Sequence, residues 1–199
     1  MLPSVAFVVI AYLIGSVSFA VVVSKAMKLP DPHDYGSGNP GATNVLRTGN
    51  KVAAAVTLAG DGAKGWFAVY LAQHFGTSFG VAEWTVPAVA LAVFVGHLYP
   101  VFHHFAGGKG VATAAGIMLA LSWPVGLVLT TIWLVMAFGF KISSIAALTA
   151  SLLAPIGAFY VFGNTLTAWI WVPIAALLFW RHRTNIRQLL SGKERIIGR

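Results

Sequence analysis

The sequence predicts an all-α polytopic membrane protein of about seven transmembrane helices, with the N-terminus outside and the C-terminus cytoplasmic. Hydrophobic residues make up 58% of the 199 and charged residues 9%, and the mean hydropathy is +0.80. So few charges cannot cover a soluble surface, whereas lipid solvates such a chain readily. The apolar residues fall in runs close to the length that crosses a bilayer. The cations fall almost wholly in alternate connections between those runs.

Pro3 to Ala26 is the first run. It has no Arg/Lys-rich start and no small-residue cleavage site, so it reads as a retained span and not as a signal peptide. Val52 to Phe75 is the second, interrupted by "AGDGAKG", and Trp84 to Phe102 is the third. Val111 to Leu121 is too short to cross an average bilayer upright and needs thinning or a neighbouring loop. Pro124 to Phe140, Ser143 to Phe162 and Leu166 to Trp180 complete the set.

With the N-terminus outside, the cytoplasmic connections carry Lys25, Lys28, Arg47 and Lys51, then Lys109, then Lys141. The tail adds Arg181, Arg183, Arg187, Lys193, Arg195 and Arg199. Twelve of thirteen cations thus share one side, and the thirteenth, Lys64, lies inside a span. This asymmetry is the positive-inside pattern. The net charge of +8 needs no nucleic acid to explain it, because topology and contact with anionic membrane lipids suffice. There is no cysteine, which excludes disulfides, thiolate nucleophiles and Cys-ligated zinc. The histidines show no paired helical spacing backed by carboxylates, so no metal site is expected.

The whole chain, 1–199, reads as one integral-membrane domain whose polar sequence is gathered in three cytoplasmic segments, 34–50, 96–113 and 182–196. "DYGSGNPGATNVLRTGN" supplies glycine amides that suit an anion, neutral donors at Ser37, Thr43 and Asn44, and the planar fork of Arg47. The plainer reading is a long turn with Asn and Gly chosen for geometry. "AGGKGVAT" places Gly107, Gly108 and Lys109 just before an apolar helix whose N-terminus favours an anion. It lacks the G-x-x-x-x-G-K-[ST] spacing, so no nucleotide is inferred. His97, near the end of the third span, suits proton transfer or a hydrogen bond to a backbone carbonyl. His182 and Asn185 are three apart in the tail and are placed to face the other two segments. Asp61 and Lys64, also three apart, share one helical face and form either a neutralising pair or part of the site.

A transporter or flippase needs a site near the midplane and a path to both faces, whereas these polar residues cluster at one face. A scaffold leaves the glycine loops unexplained.

Three stretches resemble the signature segments of the bacterial acyl-phosphate:glycerol-3-phosphate acyltransferases, the PlsY family: "SGNPGATNVLRTG", "GHLYPVFHHFAGGKGVAT" and "HRTNIRQLLSGKERI". Size, polytopic character and motif order agree over essentially the whole chain. The resemblance implies transfer of a fatty acyl group from acyl phosphate to the 1-hydroxyl of sn-glycerol 3-phosphate, giving lysophosphatidic acid and inorganic phosphate. It implies no cofactor, a place in the bacterial inner membrane with the site at the cytoplasmic face, and a functional link to the enzyme that makes acyl phosphate. By motif match, Ser37, Arg47 and Lys109 bind phosphate, helped by backbone around Gly38, Gly107 and Gly108. Asn39 and Asn44 orient the loop or the glycerol. Ser143, His182 and Asn185 complete the glycerol 3-phosphate pocket. His97, Lys109 and Ser37 are the expected catalytic residues, with the proton going to His97 or to the departing phosphate. Ala106, Tyr99 and Lys193 depart from the family's usual Lys, Phe and Thr, and none of these touches Ser37, Arg47, His97 or Lys109.

Overall fold

The structure is a computed structural model that describes residues 1–197. Among them every regular element is helical and there is no strand. Gly198 and Arg199, counted above with the tail, lie outside the described residues.

The first expected span is two helices, α1 (Leu2–Ser16) and α2 (Phe19–Ala26), meeting at 44°. Val17 and Ser18 are extended there, and Ser18 caps α2 by accepting the Val21 N–H at 3.5 Å. No Pro marks the break, though Gly15 and Ser16 immediately precede it. What sustains it is a partner: Lys64 Nζ donates to the Val17 carbonyl at 2.6 Å.

The first polar segment contains the short α3 (Ala42–Val45) and a 3₁₀ turn, Leu46–Thr48. Asn50 then caps α4 (Lys51–Phe75), accepting the Ala53 N–H at 2.9 Å. The interruption expected at "AGDGAKG" does not occur, and α4 runs unbroken for 25 residues. Its glycines serve packing. A Cβ on Gly65 would collide with the Thr113 carbonyl, and one on Gly116 with the Gly62 carbonyl. Small residues let α4 and the helix bearing Thr113 meet backbone to backbone.

The third span runs from Thr85 to His103, close to the expected bounds; its α-helix, α5 (Thr85–Leu98), ends before Pro100, which supplies no amide to continue it. A 3₁₀ turn, Val101–His103, follows. α1 lies along α5, and there is no room for a Cβ on Gly15 against the Val93 carbonyl or on Gly96 against the Tyr12 carbonyl. Tyr12 Oη donates to the Tyr99 carbonyl at 2.8 Å, tying α1 to the end of α5.

α6 (Val111–Leu121) and α7 (Trp123–Phe140) are joined by Ser122 alone. α8 (Ser143–Phe162) returns against α7 and accommodates Pro155. The last expected span divides into α9 (Leu166–Trp169) and α10 (Trp171–Arg181), and the tail begins with α11 (Arg183–Leu190). Pro173 sits in the first turn of α10, where its missing N–H breaks no helical bond.

Among the described residues three helices are long and apolar enough to cross a membrane, and the bent α1–α2 pair, taken as one span, makes a fourth. α6 and the Leu166–Arg181 stretch are shorter, and α4 is less apolar because it carries Asp61 and Lys64. Phe94, Leu98, Ile117, Trp171 and Ile174 fill the centre, while Val135, Phe138, Leu152 and Ile156 point outward. An apolar outer surface of this extent suits lipid.

Candidate active site

Asn44 organises the first segment. It is buried, and its Oδ1 accepts the Ser37 N–H at 3.0 Å, Ser37 Oγ at 3.2 Å and Arg47 Nη1 at 2.8 Å. Its Nδ2 donates to the carbonyls of Pro32 and Tyr35 at 2.8 and 3.2 Å. An amide has two donors and two lone pairs, so Asn44 is fully engaged in shaping the loop. Of its two expected roles, orienting the loop is the one the geometry displays. Gly36 is required beside it: φ is +63°, and a Cβ would strike Asn44 Oδ1. Four of the five Arg47 donors lie outside the Asn44 bond and are directed by it.

The second segment turns at Gly107 and Gly108. The Gly108 N–H donates to the His97 carbonyl at 3.1 Å, and Gly38, in the first segment, donates to the Tyr35 carbonyl at 2.9 Å. These two amides, expected to help hold phosphate, are therefore already bonded, and Gly38, Gly107 and Gly108 stand behind the cavity wall and shape it. Room is the reason: a Cβ on Gly107 would strike the His97 carbonyl, and one on Gly108 would strike His97 Nε2. Lys109 emerges from this turn and meets Asn185 Oδ1.

Asn185 brings in the tail. Its Nδ2 donates to Glu194 Oε1 at 2.6 Å, and the same oxygen accepts Ser144 Oγ at 2.8 Å. The Ile197 N–H donates to the Lys141 carbonyl at 2.7 Å. The tail thus folds back over the start of α8 with Glu194 turned inward. Neither Glu194 nor Ser144 carried a sequence signal for this, since their neighbours are ordinary basic and apolar residues.

One cavity of about 610 Å³ gathers Ser37, Asn39, Asn44, Arg47, His97, Lys109, Ser143, His182 and Asn185 on its wall. Its shape follows three helices. α6 contributes from Val111, two residues after Lys109, to Leu119; α8 from Ser143 to Ala154; and α10 with its cap from His182 back to Trp171. Ten or so residues at 1.5 Å each carry every wall roughly 15 Å from a polar end to an apolar one. Leu129 and Trp133 of α7 and Trp66 of α4 line the apolar portion.

Electrostatics sharpen the polar end. Burial, reinforced by the charges of Arg181 and Arg47 and opposed by Glu194, pushes the Lys109 ammonium down to about 8. Burial also lowers Arg47, which stays charged. His182 is lowered to about 4 by burial, then by the Lys109 charge, so it is neutral near pH 7. Its Nδ1 lies 2.8 Å from the Leu178 carbonyl, which requires the proton on Nδ1 and leaves Nε2 as an acceptor. On the cavity wall Asp61 Oδ1 lies 3.0 Å from Lys64 Nζ and 3.5 Å from His97 Nδ1, all three side chains being buried. The pair expected within α4 therefore has a third member from α5. Among the described residues no group of His, Asp and Glu has the arrangement of a metal site.

Three cations, Arg47, Lys109 and Arg195, share the polar part of an apolar slot with Asp61, Glu194 and neutral hydrogen-bonding groups, and in an all-helical lipid-facing chain this arrangement suits a phosphate-headed amphiphile. The chain belongs to the glycerol-3-phosphate acyltransferase family, whose sequence profile matches residues 5–192. It is 61% identical over 194 residues to the glycerol-3-phosphate acyltransferase of Cupriavidus pinatubonensis, covering 96% of this chain and 95% of that one. It is 58% identical over 191 residues to that of Burkholderia vietnamiensis, covering 95% and 88%. The crystal structure of PlsY (YgiH), an integral membrane glycerol 3-phosphate acyltransferase, superposes in its glycerol 3-phosphate form with a TM-score of 0.89. Identity there is 37%, with 98% of this chain and 95% of that one covered. Its lysophosphatidic acid form gives 0.87 with the same identity and coverage.

Proposed function

We propose that this acyltransferase takes its acyl group from acyl phosphate and places it on the 1-hydroxyl of sn-glycerol 3-phosphate, releasing lysophosphatidic acid and inorganic phosphate. The reaction serves bacterial phospholipid synthesis at the cytoplasmic face of the inner membrane. The chain crosses that membrane seven times, N-terminus outside and C-terminus inside, as the cation asymmetry favours. An enzyme producing acyl phosphate is its functional neighbour.

The observation that carries this reading is the single cavity with a cationic end and an apolar end, which fits a phosphorylated head and an acyl chain together. Arg47 and Lys109 neutralise the phosphates, with Ser37, Asn39 and Asn185 as neutral partners. His182 Nε2, a lone-pair acceptor, receives a glycerol hydroxyl and orients it. Ser143, at the start of α8, completes that pocket. The glycerol oxygen attacks the acyl carbonyl carbon, the bond from that carbon to the phosphate oxygen breaks, and the phosphate leaves with the electron pair. The hydroxyl proton goes either to His97 or to the departing phosphate. Because acyl phosphate is already activated, no covalent enzyme intermediate is needed. Positioning the hydroxyl against the acyl carbonyl supplies much of the acceleration, and donors near the developing oxyanion add to it.

The test is phosphate release by the purified protein in lipid, given acyl phosphate and glycerol 3-phosphate, with lysophosphatidic acid identified as product and Arg47→Ala as control. Stoichiometric product that disappears in the control supports the assignment. No product from folded protein refutes it. Retention of most of the turnover in His97→Ala across the pH range rules out His97 as an obligatory base and leaves the proton to the phosphate.

A further inference from the structure

Arg181, the last residue of α10, does not line the cavity, yet it is bonded to the turn that presents Lys109. Its Nε donates to the Gly108 carbonyl at 3.1 Å, and its Nη2 donates to the Gly107 carbonyl. Two adjacent N–H groups of one planar fork thus hold two consecutive carbonyls. The guanidinium also lies over the Tyr99 ring, 5.7 Å from its centroid, and Tyr99 is itself tied to α1 through Tyr12. The fork is therefore fixed from below as well as along its edge.

Peptide planarity converts this grip into an orientation. In a trans peptide the C=O and the following N–H point in opposite directions. With the Gly107 carbonyl on Arg181, the Gly108 N–H points the other way, where it meets the His97 carbonyl at 3.1 Å. With the Gly108 carbonyl also on Arg181, the Lys109 N–H points away from that guanidinium, and Lys109 itself lines the cavity. Among the described residues no acceptor takes that amide.

We propose that Arg181 is a positioning residue of this acyltransferase: by gripping the Gly107 and Gly108 carbonyls it turns the Lys109 amide and side chain toward the cavity and so sets affinity for the substrate phosphate. The inference rests on the acyltransferase reading of the site. It goes beyond the three signature segments, in which the role of a cation just before His182 has no local signal. Arg181 adds a second effect through space, since its charge is among the causes that lower the Lys109 ammonium.

Arg181→Lys and Arg181→Gln separate grip from charge. Lysine keeps the charge but is a point donor that does not hold two carbonyls in one plane; glutamine removes the charge. Both variants are expected to raise KM for glycerol 3-phosphate roughly tenfold or more, the loss of a charge-assisted hydrogen bond, with kcat changing less. The alkaline limb of the pH profile stays in place in the lysine variant. It moves to higher pH in the glutamine variant, because Lys109 loses a positive neighbour. A wild-type KM in the lysine variant overturns the proposal, and if the glutamine variant does not fold the lysine variant decides alone. Calorimetric titration with glycerol 3-phosphate reads the same affinity loss without turnover. An inactive wild type that still binds glycerol 3-phosphate more tightly than the lysine variant would refute the acyl-transfer reading and leave the role of Arg181 standing.

Discussion

Asp61 Oδ1 lies 3.5 Å from His97 Nδ1 and 3.0 Å from Lys64 Nζ, so one buried carboxylate faces two groups from two helices. Lys64 in turn closes the break in the first span through the Val17 carbonyl. Removing one member of such a set leaves a buried charge without its counter-charge, which costs about 3–5 kcal/mol. Asp61→Asn is therefore expected to lower the melting temperature strongly. Asp61→Asn combined with Lys64→Met removes both charges and is expected to recover part of that loss, the remainder being the lost bond to the Val17 carbonyl. Thermal unfolding of the three proteins in one detergent checks this, and equal destabilisation in the single and double variants would contradict it.

Asn44 and Arg47 give a second prediction. The 2.8 Å bond from Arg47 to Asn44 Oδ1 aims the guanidinium, and the same amide fixes Ser37 and the carbonyls of Pro32 and Tyr35. Asn44→Ala is expected to reduce kcat/KM for glycerol 3-phosphate by about two orders of magnitude, the loss of two to three bonds of about 1 kcal/mol each. Asn44→Asp keeps the acceptor for Ser37 and Arg47 but loses both donors, so it is expected to fall between the two. Saturation kinetics rank the three proteins.

Activity should fall on the alkaline side near pH 8. Lys109 binds phosphate as an ammonium and its folded pKa is lowered to about 8, so the bound cation is lost as pH rises through that value. His182 must be neutral to accept a hydroxyl, and its value of about 4 keeps it so until the medium is far more acidic. The acid limb therefore does not belong to His182; the substrate phosphate, whose second ionisation is near 6, is one group that supplies it, and His97 is the other if it acts as the base. A pH profile of kcat/KM for wild type and His182→Gln tests the assignment: the acid limb is expected at the same pH in both, with the variant lower throughout.

The three polar segments were legible because their chemistry is local. Glycines clustered with Asn44, Arg47 and Lys109 in an oily chain mark a site wherever the helices run. Hydropathy also located each apolar run. It did not show the break at Val17, which depends on Lys64, 47 residues away. Nor did it show that the glycines of "AGDGAKG" pack α4 against α6, because a glycine that breaks a helix and one that admits a neighbour are the same letter. Arg181 and Glu194 read as members of a basic tail, since the carbonyls and hydroxyls that hold them lie 73 and 50 residues away.

The α4–α6 seam yields the last prediction. Gly62 and Gly65 on one helix face Gly116 and Thr113 on the other, and Thr113 Oγ1 donates to the Asp61 carbonyl at 3.0 Å. A methyl on Gly116 has no free space, since it would strike the Gly62 carbonyl, which is backbone. The helices must then separate, at a cost of about 1–3 kcal/mol for overpacking. Because α6 carries Lys109 at its start and lines the apolar slot as far as Leu119, separation alters both ends of the cavity. Gly116→Ala is therefore expected to lose activity and thermal stability together. Gly139→Ala, on α7 with nothing within 4 Å of the added carbon, is expected to change neither, and activity measured beside a melting curve distinguishes the two positions.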